Sequence, residues 1–310
     1  MKSLVMTAAS NYAPETLRPF LSSLYEHCPR TEVVLIVNPA DLKYEAEYKK
    51  INENTTLIPI RNYFLRSLIW KNFRGSGKFR SLLKNVVGSF SKYANVNLIN
   101  SPVTAITTSI FHISELRYFN SLDLLSNKYK DVDLVLLTDS RDVFFQDDPF
   151  KNFNSDLAFG LEDVPINKCK YTKNWVEGIY GEHRASEISG EQVICSGVTL
   201  GKRKAVVKYL HLMCEEICRN ARRVAFGVGY DQGIHNWLVR TNSNLTFKLI
   251  PNGEKLIATL NYSDLTQFKF DEKRGLLNQN DELVSIVHQY DRKEFIAKWC
   301  LQKWSAKTIK

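Results

Sequence analysis

Short, continuous apolar runs alternate with segments of helical spacing at the start of the chain, and this alternation limits the fold more than any other feature. "SLVMTA" and "TEVVLIVN" have the composition of fully buried strands. Between them, "APETLRPFLSSLYEHC" sets Leu17, Phe20, Leu21 and Leu24 at helical spacing, with Pro14 near its start, where proline is tolerated. A strand that is apolar at successive positions must be covered on both faces, and a helical crossover makes its neighbour parallel. "DLKYEAEYKKI" and "TTLIPI" add a further helix and strand. The pattern resumes with a helix in "SIFHISELRYFNSLDLL", strands in "DVDLVLLTD", "DLAFGLED" and "VICSGVTLG", and a long amphipathic helix in "KAVVKYLHLMCEEICRNA". "GYDQGIHNWLVR" reads as a short helix and "SIVHQYD" as a last short strand. No internal repeat, low-complexity segment or linker interrupts the chain. The expectation is an α/β fold, a mixed and mostly parallel sheet flanked by helices, forming a single domain over residues 1–310 with an irregular C-terminal half.

The 310 residues suffice for a substantial core, and 44% hydrophobic with 24% charged residues is ordinary for a globular enzyme. No stretch approaches the roughly 20 apolar residues of a membrane-spanning helix. The apolar run in "MKSLVMTAASNY" is too short for a signal peptide and reads as the first strand, so a cytoplasmic protein is expected. The six cysteines form no CxxC; Cys214 and Cys218 share a helical face but lack a partner pair, so reduced core thiols are expected rather than zinc.

Net charge is +9, an excess that suits nucleic acid, anionic lipid or a phosphorylated substrate. Its distribution is uneven. Between Glu53 and Glu115 no acidic residue occurs, while eight basic residues from Arg61 to Lys92 interleave with Tyr63, Phe64, Trp70, Phe73 and Phe79. Residues of about 61–95 therefore form a basic, aromatic insert, broken at Gly75 and Gly77. A basic tail of about 294–310 carries Trp299, Trp304 and four lysines.

Against that background, "LVLLTDSRDVFFQDDPF" places acid directly behind a buried strand. In open α/β sheets ligands bind beyond the carboxyl ends of the strands, where Asp139 and Asp142 fall. Magnesium and manganese take hard oxygen ligands, commonly one or two carboxylates plus substrate phosphates. The spacing serves equally an Asx-type turn that caps backbone amides. Asp147 and Asp148, before Pro149, read as the cap of the following turn.

The segment "LLTDSRDVFFQDDPF" resembles the metal-binding stretch of GT-A glycosyltransferases, the nucleotide-diphospho-sugar transferases. The resemblance is to the retaining enzymes related to family 8 (glycogenin-like and lipopolysaccharide galactosyltransferase-like) and family 77. Their Asp-x-Asp pattern is altered here: aligning "VFF" puts Asp142 on the second aspartate and Ser140 on the first, with Asp139 displaced by one. Four more stretches match in order. "ELRYFNSLDLL" resembles the helix whose basic residue, here Arg117, approaches the nucleotide. "CSGVTLG" resembles an "NSGV" strand, with Ser196 and Gly197 near the sugar. "GYDQGIHNWL" resembles the Asp-Gln segment beside the reacting centre, with Asp231 and Gln232 in catalytic positions; Asp231 also suits a helix N-cap. "IVHQYDRKEF" resembles the segment whose histidine, here His288, completes the metal site, with Arg292 or Lys293 meeting the diphosphate. The opening "VMTAASNY" resembles the strand of the nucleotide pocket, with Thr7, Ala8 and Ala9 facing the base and Asn11 or Tyr12 beside it.

The resemblance implies a Rossmann-like GT-A fold and transfer of a sugar from a nucleotide-diphosphate donor, by default a UDP-sugar, to a glycan or lipid-linked acceptor with retention. A manganese or magnesium ion held by Asp139, Asp142 and His288 would serve as cofactor. The insert and tail suit peripheral attachment to an anionic membrane surface, or are solvated helical faces. Two rival readings are a nucleic-acid-processing protein, drawn from charge and carboxylates, and a non-catalytic sugar-binding relative, drawn from the altered Asp-x-Asp. The aliphatic residues flanking the insert's aromatics do not form a stacking platform, so no nucleic-acid partner is expected.

Overall fold

The computed structural model describes residues 1–73, 77–90 and 102–304. Gly75, residues 91–95 of the insert and the last six residues of the tail lie outside the described residues. Among the described residues there are twelve strands: β1 (Ser3–Ala8), β2 (Glu32–Val37), β3 (Thr55–Pro59), β4 (Leu134–Thr138), β5 (Val143–Phe145), β6 (Leu157–Pro165), β7 (Gln192–Lys202), β8 (Lys248–Ile250), β9 (Ile257–Thr259), β10 (Phe268–Asp271), β11 (Gly275–Asn278) and β12 (Ile286–His288). The α-helices among the described residues are α1 (Pro14–His27), α2 (Glu45–Ile51), α3 (Tyr63–Phe73), α4 (Gly77–Phe90), α5 (Pro102–Thr108), α6 (Ile113–Asn127), α7 (Lys170–Tyr180), α8 (Glu182–Ser186), α9 (Arg203–Arg219), α10 (Ala221–Val224), α11 (Tyr230–Thr241) and α12 (Glu294–Trp304).

The main sheet runs β3-β2-β1-β4-β7-β6-β8. Its first four strands are mutually parallel, β7 is antiparallel to both β4 and β6, and β8 is parallel to β6. The sheet is therefore mixed and mostly parallel, as the alternation of apolar runs and helices requires. Alternation within each strand splits its side chains between two cores. Leu4, Met6, Val34, Ile36 and Val135 pack with α6, α9 and α11 on one face. Val5, Val33, Leu35, Leu134 and Leu136 pack with α1 and α2 on the other. That division explains why these strands read as continuous apolar runs: neither face is wet.

The strand order also places a ligand crevice. The chain steps outward from β1 to β2 and β3, then returns to lay β4 on the other side of β1. This reversal is a topological switch point, and the segments leaving the carboxyl ends of β1 and β4 flank a crevice there.

Three expectations change. The helix read from Ser109 begins at Ile113, with His112 as its N-cap accepting from the Ser114 amide (3.3 Å). The threonine-rich segment before it forms its own short helix, α5. The C-terminal half is more regular than its sequence suggested, because β5, β12 and β9 form a second sheet. Three-residue strands leave no periodicity for a sequence pattern to reveal. The tail is not a free basic segment up to residue 304: Ile296, Cys300 and Trp304 of α12 are buried against that small sheet. All six cysteines are buried and unpaired, as expected of core thiols.

Candidate metal centre and its two cavities

Two ladders build the centre. Antiparallel pairing of β5 with β12 sets His288 opposite Val143, the residue after Asp142, and the Gln289 amide donates to the Asp142 carbonyl (2.7 Å). Gln289 takes a left-handed conformation (φ 57°), which turns the chain there. Antiparallel pairing of β4 with β7 sets Thr138 opposite Val198, and the Asp139 amide donates to the Gly197 carbonyl (2.8 Å). Asp139 thus leaves the main sheet where Asp142 enters the small one. Ligand atoms of Asp139, Asp142 and His288 lie within 4.8 Å of one another. His288 Nε2 is 3.5 Å from Asp139 Oδ2 and 3.9 Å from Asp142 Oδ1.

Gly197 makes that approach sterically feasible. A β-carbon on it would sit 2.4 Å from His288 Cε1 and 2.7 Å from Asp139 Oδ2. Two carboxylates and an imidazole, carried by three chain segments and closing over a bare α-carbon, are a donor set suited to manganese or magnesium. Between Asp139 and Ser140, the geometry brings Asp139 into the cluster. Ser140 is buried, with a hydroxyl that has no hydrogen-bond partner.

Arg117 joins the centre to α11. Its Nη1 donates to Asp139 Oδ1 (2.5 Å), and its Nη2 to Asp231 Oδ2 (2.7 Å) and the Ser196 carbonyl (3.1 Å). Packing around Asp139 opposes ionisation, but the Arg117 guanidinium and the His288 imidazole outweigh it and hold the carboxyl at about 2. Burial raises the Asp142 carboxyl, and His288 offsets only part of that. Burial also raises Asp231, against the pull of Arg117. Burial alone would lower the His288 imidazole, yet Cys195, Asp139 and Asp142 around it hold it well above its ordinary value.

Two cavities share Arg117 and Asp139 as a common wall. The first, about 240 Å³, lies at the switch point between Ala8, which ends β1, with Tyr12 beyond it, and Asp139, Arg141 and Asp142 after β4. The second, about 280 Å³, is lined by Glu162, Trp175, Ser196, Asp231, Gln232 and Tyr262 among others.

The expected residues divide accordingly. Ala8 and Tyr12 face the first cavity, whereas Ala9 is buried in the core beneath α1 and Thr7 lines a separate pocket of about 20 Å³. Alternation along β1 sends successive side chains to opposite faces, so all three could not face one ligand. Asn11 is occupied structurally: its amide donates to Asp41 and its side chain accepts from Asn38. Ser196, Gly197, Asp231 and Gln232 come together at the second cavity. Gln232, however, has both side-chain amide atoms on the β7 backbone, accepting from the Ser196 amide (2.8 Å) and donating to the Ile194 carbonyl (3.0 Å). Arg292 is exposed, pairs with Asp291 (2.6 Å) and lines neither cavity; Lys293 donates to the Ser263 carbonyl (2.5 Å). Asp148 caps its turn by accepting from the Phe150 amide (2.8 Å).

Three residues escaped the sequence reading. Arg141 is a second cation, besides Arg117, that lines the first cavity, between Asp142 and Asp291. Its signal was its place inside the acidic turn. Cys195 lies 3.4 Å from His288 Nδ1, behind the cluster, where an outer partner orients a metal-ligating histidine. Glu162, hydrogen-bonded to Cys195, is 5% exposed, and burial pushes its carboxyl up to about 7. An acid within the otherwise apolar "LAFGLEDV" was the available signal.

No family model matches the chain, and no curated protein matches it. Solved structures that resemble it over nearly its whole length include those of a galactosyltransferase. That enzyme is LgtC: a crystal structure of an active-site mutant is 15% identical, covering 97% of this chain and 95% of its own, with a TM-score of 0.49. A complex of LgtC with donor and acceptor sugar analogs is 14% identical at the same coverage, with a TM-score of 0.48. At such identity and TM-score the likeness carries no argument about activity.

Proposed function

We propose that the protein is a metal-dependent glycosyltransferase, acting as one domain, that moves a sugar from a UDP-sugar to a glycan or glycolipid acceptor. One observation carries this reading: the Asp139–Asp142–His288 cluster stands at the wall shared by two cavities, one at the switch point of the sheet and one beyond it. The first cavity suits the nucleotide and its diphosphate, and the second suits the donor sugar and acceptor. Retention follows the sequence resemblance to the family 8 and family 77 enzymes. No helix among the described residues is long and apolar enough to cross a membrane, and the reading is of an enzyme attached peripherally at the cytoplasmic face.

Asp139, Asp142 and His288 would hold manganese or magnesium, which supplies positive charge to the diphosphate as it departs. The chain's own groups do the rest. Arg141 adds a cation to the first cavity. Arg117, fixed by Asp139 and Asp231, keeps the wall between the cavities rigid and carries its charge toward both. Asp231 and Ser196 border the place where the acceptor hydroxyl meets the sugar. Gln232 positions Ser196 by holding its amide. A cavity set back in the fold orients the hydroxyl and limits competing water.

The test is calorimetry with UDP, with and without manganese, followed by hydrolysis of a UDP-sugar panel. Metal-dependent UDP binding and turnover of one donor are expected; binding without turnover of any donor would indicate a non-catalytic sugar-binding relative. Asp142→Ala should abolish the metal-dependent binding, whereas Asp148→Ala should retain it and lose only about 1 kcal/mol of stability with its capping bond. Equal loss in both variants would mean the site is misplaced.

A further inference from the structure

A core is most simply filled with side chains that carry no polar atoms, because every buried hydroxyl or ring nitrogen must find a partner. The main core departs from this where α6, α9 and α11 meet. Tyr118 of α6, Tyr209 of α9 and His235 of α11 are buried there, the last two completely. Phenylalanine at both tyrosine positions would fill the same space with no hydroxyl to satisfy.

The three polar groups form a line that starts at the site. Arg117 Nη2 donates to the Tyr118 hydroxyl (3.2 Å) as well as to Asp231. A guanidinium only donates, so the Tyr118 oxygen accepts and its own proton points elsewhere. Asp231 Oδ2 is 3.5 Å away, at the limit of a hydrogen bond, and the Tyr209 hydroxyl is the other group that Tyr118 faces. The two rings meet edge-on, with centroids 6.3 Å apart. The Tyr209 hydroxyl in turn lies 2.8 Å from His235 Nδ1.

The line has a direction. Burial, with the charges of Arg117 and Arg240, lowers the His235 imidazole to about 3, so the ring is neutral. A neutral ring that accepts at Nδ1 carries its proton on Nε2. That Nε2 is buried without a partner among the described residues. The hydroxyls therefore donate one way, from Tyr118 to Tyr209 to His235. The line ends on α11 four residues after Asp231, on the same helical face, so it ties three helices into a loop that closes at the site. An unpaired buried N–H destabilises a fold, so stability alone does not account for the arrangement. None of the three side chains lines either of the two main cavities, so their polar atoms act on a ligand only through Arg117 and Asp231.

We propose that Tyr118, anchored by Tyr209 and His235, is a positioning residue that fixes the Arg117 guanidinium and, through it, the orientation of the Asp231 carboxylate in the second cavity. Its effect on catalysis rests on the transferase reading; the line itself is tested without turnover.

Tyr118→Phe and Tyr209→Phe each remove one hydroxyl and keep the ring, and thermal melts check that both variants fold. The first measurement is the NMR signal of the Arg117 Nε–H in the intact chain. It should shift in both variants, although the Tyr209 hydroxyl reaches Arg117 only through Tyr118. A signal unmoved by Tyr209→Phe would overturn the proposal. The second measurement is hydrolysis of the donor that the UDP-sugar panel identifies. Tyr118→Phe should lower kcat about tenfold and Tyr209→Phe about threefold, with KM within about twofold. Metal-dependent UDP binding should not change, since neither hydroxyl lines the first cavity. The double variant should be no slower than Tyr118→Phe alone, because the hydroxyls act in series. Losses that multiply would mean two separate packing defects, and would also overturn the proposal. If the wild type turns over no donor while the Arg117 signal shifts in both variants, the transferase reading falls and the line stands.

Discussion

Gly197 shows how much one residue can decide. Its bare α-carbon lets His288 and Asp139 meet, and a methyl group there would lie 2.4 Å from the imidazole. Gly197→Ala should therefore separate the two ligands, weakening manganese binding at least about tenfold at a cost of about 1–3 kcal/mol in overpacking. Calorimetric titration with manganese and a thermal melt measure the two effects, and unchanged affinity would place the metal elsewhere. Glu162 makes a prediction in pH. Its folded value of about 7 lies above the ordinary 4.5, so the fold favours the neutral acid. Below the ordinary value both states are neutral and stability is complete. As pH rises through the window the unfolded chain ionises first, and the native state loses about 3 kcal/mol by the time pH passes 7. Glu162→Gln, in the presence of chelator, should match wild type near about pH 5 and exceed it by up to about 3 kcal/mol near about pH 8 in urea unfolding. A gap that does not widen with pH would contradict a buried, titrating carboxyl. The sequence showed Gly197 only as one residue of a motif and did not single out Glu162, because a glycine's neighbours and a carboxyl's burial are properties of other segments.

Among the elements, β7 depends on α11. It extends beyond the end of β4, and there Asn236 and Gln232, one turn apart, take up its backbone. Asn236 accepts from the Ile194 amide (2.8 Å) and donates to its carbonyl (2.9 Å), while Gln232 holds the Ser196 amide. Asn236→Leu keeps the helix but strands a buried amide, so a loss of about 3 kcal/mol is expected from chemical denaturation. A smaller loss with unchanged donor binding would show that Gln232 alone positions Ser196. Five of the twelve helices among the described residues (α1, α2, α6, α9 and α11) and all the long strands of the main sheet were legible from periodicity. The short strands β5, β9 and β12 were not recognisable as a sheet, since three residues show no periodicity and β5 pairs with β12 across more than a hundred residues of sequence. Yet that pairing is what brings His288 to Asp142.

At the scale of the molecule, α12 fastens the small sheet to the main body. Trp304 is fully buried, packs its ring 5.3 Å from that of Phe144, and donates to Glu26 of α1 (3.0 Å). Trp304→Ala should cost about 3–5 kcal/mol. Because β12 shares that core, metal affinity should fall along with the melting temperature; a lower melt with undiminished manganese binding would mean the sheet holds His288 without its cover. The sequence reading took this tryptophan for part of a basic tail suited to a membrane, since burial supplied by a distant segment cannot be seen from local composition. Within the insert the outcome is divided: Phe64 and Leu68 of α3 and Leu82 and Val86 of α4 are exposed, whereas Val87 is buried.

Local chemistry decided what could be read without coordinates. Continuous apolar runs announced strands covered on both faces, helical spacing announced their crossovers, and acid at the end of β4 marked a candidate cation site. Those signals arise within one stretch of chain. The tertiary structure alone decided that Asp139 rather than Ser140 joins Asp142, that Arg141 rather than Arg292 faces the first cavity, and that Glu162 stands behind the histidine. Each depends on the distance between segments far apart in sequence, set by ladder register and by side chains closing over a bare glycine, and no local pattern records that distance.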